Sequence, residues 1–185
     1  MIRIPEGSAP DFKNKSWTVA ADVTIPDDGA SGILATIGGR FGGWALLLND
    51  SKPEFVYAFS NQPQHKFRIA SEKALPPGNH VIRVKFDYEG GGIGKGATGT
   101  LLVDEKPIAE GRIPQTIAIR FSLDETFDVG EDAGTPVVED YADKMPYAFT
   151  GTLKKFAVVL EPEKLTDEEK ERLRKALSKA LMAVQ

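Results

Sequence analysis

The 185-residue sequence predicts an all-β fold, a two-sheet antiparallel jelly-roll sandwich followed by a single C-terminal helix. Three observations carry that expectation. Apolar and polar residues alternate with period two over several stretches, which is the pattern of half-buried strands. Clusters of Gly, Pro, Asn and Asp separate those stretches at short intervals. No helical periodicity begins before Pro162.

The strands are read in order. In "SWTVAADVTI" the residues Trp17, Val19, Ala21, Val23 and Ile25 alternate with Thr18, Ala20, Asp22 and Thr24. After the turn "PDDGASG", "ILATI" is a short strand, and "GGRFGG" breaks the chain before "WALLLND". "EFVYAFS" sets Phe55, Tyr57 and Phe59 on one face, and "HKFRIAS" follows. "HVIRVKFDY" opposes Ile82, Val84, Phe86 and Tyr88 to Arg83, Lys85 and Asp87. "GTLLVDEKPIAEGRI" is a hairpin turning at Asp104-Glu105-Lys106. "QTIAIRFSL" aligns Ile117, Ile119, Phe121 and Leu123 as a further strand, and "TGTLKKFAVVL" closes the set. Residues 1–161 therefore form the sandwich and residues 162–185 a helix packed on it. Thr166 is its N-cap and Glu169 the capping-box partner. Leu173, Ala176, Leu177, Ala180, Leu181 and Val184 make its apolar stripe.

Composition narrows the function. At 41% hydrophobic and 27% charged the chain is of ordinary globular type. A formal net charge of -4 argues against a broad grip on nucleic acid or an anionic membrane. The absence of cysteine removes disulfides, thiolate metal sites and cysteine nucleophiles. "MIRIPEGSAPDF" lacks the apolar segment of a signal peptide, and no apolar run approaches the roughly 18 residues of a membrane helix. A soluble chain is expected.

Several long motifs carry a family resemblance. "GGRFGGWALLLND", "EFVYAFSN", "FDYEGGGIGKGATGTLLVDEKPIAEGRI", "FSLDETFDVGEDAGTPVVEDY" and "FTGTLKKFAVVL" occur in this order. Together, over about Trp17 to Leu160, they resemble the C-terminal accessory domain of bacterial type I arylsulfatases. The closing motif is also similar to the last strand of laminin-G and concanavalin-like sandwiches. The family's C/S-x-P-x-R signature is absent, because the serine strings at Ser8 and Ser51 lack its arginine. The resemblance thus implies a non-catalytic accessory or interaction domain, whose partner would be a sulfatase catalytic domain or a second copy of itself.

Other motifs are weaker. "EGGGIGKG" fails as a phosphate loop: Glu89 stands where the first glycine belongs, Gly96 follows Lys95, and strands flank it. His65 and His80 lack the spacing of a helical metal pair, and no G-x-S-x-G accompanies them. Exposed aromatic rings suit the apolar faces of sugars, so Trp44, Tyr57 and Phe59, with Arg40, are candidate ligand-binding residues, with core burial the bland alternative. The acidic segment from Phe121 to Tyr141 offers Asp124, Glu125, Asp128, Asp132 and Asp140 as oxygen ligands for calcium, with Gly130 and Gly134 permitting tight turns. The interleaved Phe121, Leu123, Phe127, Val129 and Val137 point instead to a packed structural or docking loop. Two alternatives to the accessory reading follow. One is a calcium-assisted carbohydrate-binding module. The other is a small metal-dependent hydrolase of sulfate or phosphate esters, with Asp124 and Asp128 on the cation.

Overall fold

A computed structural model describes residues 1–182, except for the side chains of Leu177 and of residues 180–182. Its two sheets are antiparallel, as the alternation predicts. The larger orders its strands β1 (Ile4–Pro5), β10 (Thr126–Val129), β3 (Gly32–Gly39), β4 (Gly42–Asn49), β5 (Lys52–Ala58) and β6 (Lys66–Ala70). The smaller orders β11 (Thr152–Glu163), β2 (Lys15–Ile25), β7 (Gly78–Tyr88), β8 (Ala97–Val103) and β9 (Lys106–Ile113).

Period two sets the inner faces. In β2 the residues Trp17, Val19, Ala21, Val23 and Ile25 are buried, while Thr18, Ala20, Asp22 and Thr24 are half-exposed. Strand β7 repeats the pattern with Ile82, Val84, Phe86 and Tyr88. The centre of the core is aromatic. Trp17 stacks on Phe86 at 4.5 Å between ring centroids and on Trp44 at 5.3 Å, and Phe12 and Phe55 meet it edge-on. Such rings bury large areas and gain further from offset and edge contacts. The β8–β9 hairpin turns at Asp104 and Glu105, both with positive φ, and Asp50 and Ser51 turn β4 into β5 in the same way. That backbone sense matches the twist of the flanking strands.

The glycine-rich link from Glu89 to Gly96 wraps a hydroxyl. Tyr88 Oη donates to the Gly92 carbonyl at 2.5 Å and accepts from the Lys95 amide at 2.9 Å. The buried Asn14 accepts from the Gly94 amide at 2.9 Å. These glycines therefore let the chain circle a buried tyrosine.

One predicted strand is absent. Residues 115–123 are irregular, with Ile119 exposed and Leu123 80% exposed. Side chains replace a neighbouring strand along this segment. Tyr57 Oη accepts from the Ile117 amide at 2.8 Å, the Glu6 carboxylate accepts from the Phe121 and Ser122 amides, and Asn14 Nδ2 donates to the Ala118 carbonyl. With its backbone satisfied in this way, the alternating pattern has no sheet to join.

The helix α1 (Asp167–Met182) begins as predicted, with Glu169 N donating to Thr166 Oγ1 and Thr166 N donating to the Glu169 carboxylate. Of its stripe, Leu173 is half-buried and Ala176 exposed; the Leu177, Ala180 and Leu181 side chains and Val184 lie outside the described residues.

Trp17 and Trp44 share the middle of the aromatic centre, each against Phe12, Phe55 and the other. Trp17→Ala should cost about 3–5 kcal/mol, read as a lower midpoint in urea unfolding followed by fluorescence and circular dichroism.

Candidate functional site

Strands β3, β4 and β5 are buried on both faces, because the chain after β10 folds back over the outer face of the six-stranded sheet. Val137, Val138, Tyr141 and Tyr147 pack there on Ile33, Ala45, Leu47, Val56 and Ala58. Gly32 makes the close approach possible. Its φ is +116°, and a Cβ at this position would lie 2.2 Å from the Ala148 carbonyl oxygen.

The acidic segment holds this covering strap in shape. Asp128, fully buried, accepts from the Arg3 amide, from Thr126 Oγ1 at 3.2 Å and from the Ala133 amide at 3.2 Å. Asp132, 1% exposed, accepts from the Gly134 amide and from Tyr141 Oη, both at 3.0 Å. Glu125 accepts from the Thr135 amide at 3.0 Å. Tyr141 Oη in turn accepts from the Val137 amide at 2.9 Å. Burial pushes the Asp132 carboxyl up to about 6, against the opposing pull of its two donors, and Asp128 and Glu125 add to the rise. Burial likewise raises the Tyr141 hydroxyl.

The five carboxylates predicted as calcium ligands do not converge. Asp124 is exposed, and Asp140 pairs with Arg68 across the strap. Asp128, Asp132 and Glu125 direct their oxygens at N–H and O–H donors. Among the described residues no group of three or more acidic or histidine side chains is placed to hold a metal ion. As arranged, the donor set does not fit a cage of six to eight oxygens.

The predicted aromatics are also dispersed. Trp44 and Tyr57 are buried between the sheets and present no ring face to a ligand. Phe59 is half-buried, its ring 5.7 Å from that of His65. Arg40 pairs with Glu139 at 3.4 Å.

A different group of residues forms a cleft. Between the 3₁₀ turn Glu139–Lys144 and strands β5 and β6 opens a groove of about 350 Å³. Val56, Pro63 and Val138 supply its apolar walls, and Asn61, Lys66, Arg68, Glu139 and Asp140 its polar ones. Arg68 bridges Glu54 and Asp140. Glu54 is 5% exposed, and burial raises its carboxyl even beside the guanidinium. Lys66 makes no ion pair among the described residues. Beside Arg68 a smaller hollow reaches Asn49, Glu54, Lys144 and Tyr147, where the buried Tyr147 hydroxyl has no hydrogen-bond partner among the described residues. Sequence reading passed over Glu54, Lys66, Arg68 and Tyr147. A signal was present: the outward positions of β4 and β5 read Ala45, Leu47, Val56 and Ala58, which a solvated face would not carry.

Comparison with family models and with curated proteins gave no match. Solved structures are similar in fold. A carbohydrate-binding module, the CBM40 of Ruminococcus gnavus IT-sialidase bound to α2,3-sialyllactose, superposes with a TM-score of 0.55 at 13% identity, over 85% of this chain and 80% of that one. The same module bound to α2,6-sialyllactose gives 0.53 at 14% identity, over 87% and 84%. Mouse laminin α1 domains LG4-5 give 0.53 at 14% identity, over 85% of this chain and 39% of that one. The fold is thus a laminin-G-like and CBM40-like β-sandwich. The likeness to arylsulfatases found in the motifs has no counterpart in these comparisons.

Asp132 gives the strap a pH signature. Its folded value is raised above the ordinary carboxylate, so the folded state binds the proton more tightly. Its contribution therefore favours folding at low pH and is lost as pH rises from about 4 to 6. Unfolding free energy measured at pH 4 and pH 7 should show a contribution of up to about 3 kcal/mol that Asp132→Asn removes. Equal pH slopes in the two proteins would refute it.

Proposed function

We propose that the chain is a non-catalytic glycan-binding module that takes its sugar in the cleft between the strap and strands β5 and β6. The observation that carries this reading is the make-up of the cleft. Its apolar walls suit the C–H faces of a sugar ring, and its amide, ammonium and guanidinium groups suit hydroxyls and acidic substituents. A volume of about 350 Å³ falls in the range of small-molecule sites. The fold supports the reading, since a module of similar architecture has been solved with α2,3- and α2,6-sialyllactose. Sialyllactose carries one carboxylate among many hydroxyls. Lys66, which makes no ion pair among the described residues, is the group best placed to meet that charge.

Hydrolysis is the weaker reading. Glu54 and Asp140 are both spent on Arg68, and Glu139 lies against Arg40.

Calorimetric titration with α2,3-sialyllactose should give a Kd of about 0.1–1 mM, with lactose binding more weakly. Lys66→Ala should weaken sialyllactose binding about ten-fold, the loss of one charge-assisted contact, and leave the melting temperature in place. Absence of heat, and of amide shifts at Asn61, Lys66 and Val138 at about 10 mM of either sugar, would overturn the proposal.

A further inference from the structure

The two sheets end in four edge strands, and three are protected. Strand β1 is two residues long. Strands β6 and β9 close on each other across the sandwich, where Ile69 meets the backbone at Gly111. Strand β9 also carries Pro107 and a register shift near Leu102. Such short, charged, bulged or covered edges resist further pairing. Strand β11 differs. It too carries a proline, Pro162, and register shifts at Leu153/Lys155 and Leu160/Glu163, but it is twelve residues long, and among the described strands only β2 pairs with it. From Lys155 to Leu160 its register against β2 is unbroken, Lys155 opposite Asp22 and Leu160 opposite Trp17. Val159 is 63% exposed and Leu160 39% exposed. The chain that follows turns away from this edge: Lys164 N donates to the Asn14 carbonyl, and Lys164 Nζ donates to the Tyr88 carbonyl.

We propose that β11 pairs with β11 of a second copy, antiparallel about a two-fold axis at Val158, joining two five-stranded sheets into one. The sequence of the strand is self-complementary about that residue. Lys155 falls opposite Glu161 of the second copy, Ala157 opposite its Val159, and Phe156 opposite its Leu160. Both charged residues are exposed, and neither makes an ion pair within the chain among the described residues. In an antiparallel pair only every second residue turns its N–H and C=O outward, so alternative registers shift the centre by one residue and each pairing by two. Centring on Ala157 sets Lys155 against Val159. Centring on Val159 sets Ala157 against Glu161. Only the Val158 centre matches charge with opposite charge and apolar with apolar. A two-fold contact of this kind uses the same patch on both copies and closes at two.

Sedimentation equilibrium of the full chain tests the pairing. Wild-type protein should form dimers at about 0.1 mM. Lys155→Glu and Glu161→Lys alone should each weaken dimerisation about ten-fold or more, because each places like charges opposite one another twice. The two substitutions together restore opposite charges and should recover the dimer. All the changes are on exposed side chains, so folding, checked by circular dichroism, should be unaffected. A wild-type monomer at about 0.1 mM, a dimer indifferent to single reversals, or a double reversal that stays monomeric would each overturn the proposal.

Discussion

The structure depends on one constraint: the six-stranded sheet is apolar on both faces. Its inner face builds the sandwich core with Leu34, Trp44, Leu46 and Phe55. Its outer face carries Ile33, Ala45, Leu47, Val56 and Ala58, and these cannot be left in water without forfeiting about 25 cal/mol per Å² of apolar area. The chain between β10 and β11 supplies the cover. Everything of functional interest follows from where that cover ends. Over β3 and β4 it lies close enough to require a glycine at position 32. Over β5 and β6 it lifts away, and the gap is the cleft.

Apart from the 3₁₀ turn Glu139–Lys144 the strap is irregular, so it has backbone groups to satisfy, and it satisfies several of them with carboxylates. Asp128, Asp132 and Glu125 accept from the backbone amides of Ala133, Gly134 and Thr135. Burying acids in this way has a cost, visible in the Asp132 carboxyl, which burial raises and the nearby Asp128 and Glu125 raise further. The return is a fixed Tyr141, whose hydroxyl bridges Asp132 and the Val137 amide while its ring stacks on Tyr147 at 5.3 Å. Acidity here is a way of holding an irregular backbone.

The sandwich was legible in the sequence because period two reports burial directly. Trp17 to Ile25 and Ile82 to Tyr88 needed no further information. The same rule failed at Ile117 to Leu123, where alternation persists but Tyr57, Glu6 and Asn14 take the backbone hydrogen bonds. Nothing local marks that exchange, since the partners lie 60 to 115 residues away in sequence. The acidic segment was legible as packed, through Phe127 and Val137, but the partners of its carboxylates were not. Oxygen count is a property of sequence, whereas convergence is a property of the fold. The cleft was hidden for a similar reason. Arg68 and Glu54 sit on adjacent strands at positions that alternation assigns to solvent, and only the strap turns that face into a wall.

The two sheets consequently have different relations to their surroundings. The six-stranded sheet meets solvent through its strap, so its chemistry is that of an irregular segment braced by Asp128 and Asp132. The five-stranded sheet has an outer face of half-exposed Thr18, Ala20, Asp22 and Thr24 and is open along β11. A ligand in the proposed cleft would meet Lys66 and Arg68 at the β6 end of the larger sheet, and a second chain pairing at β11 would meet the far edge of the smaller one. Because β6 closes against β9 and β11 lies at the opposite edge of its sheet, binding at one would leave the other free. Two modules joined at β11 would then present two clefts. Weak sites presented in pairs bind a multivalent glycan surface more tightly than either does alone, without any new contact, provided the spacing of the sugars matches that of the clefts.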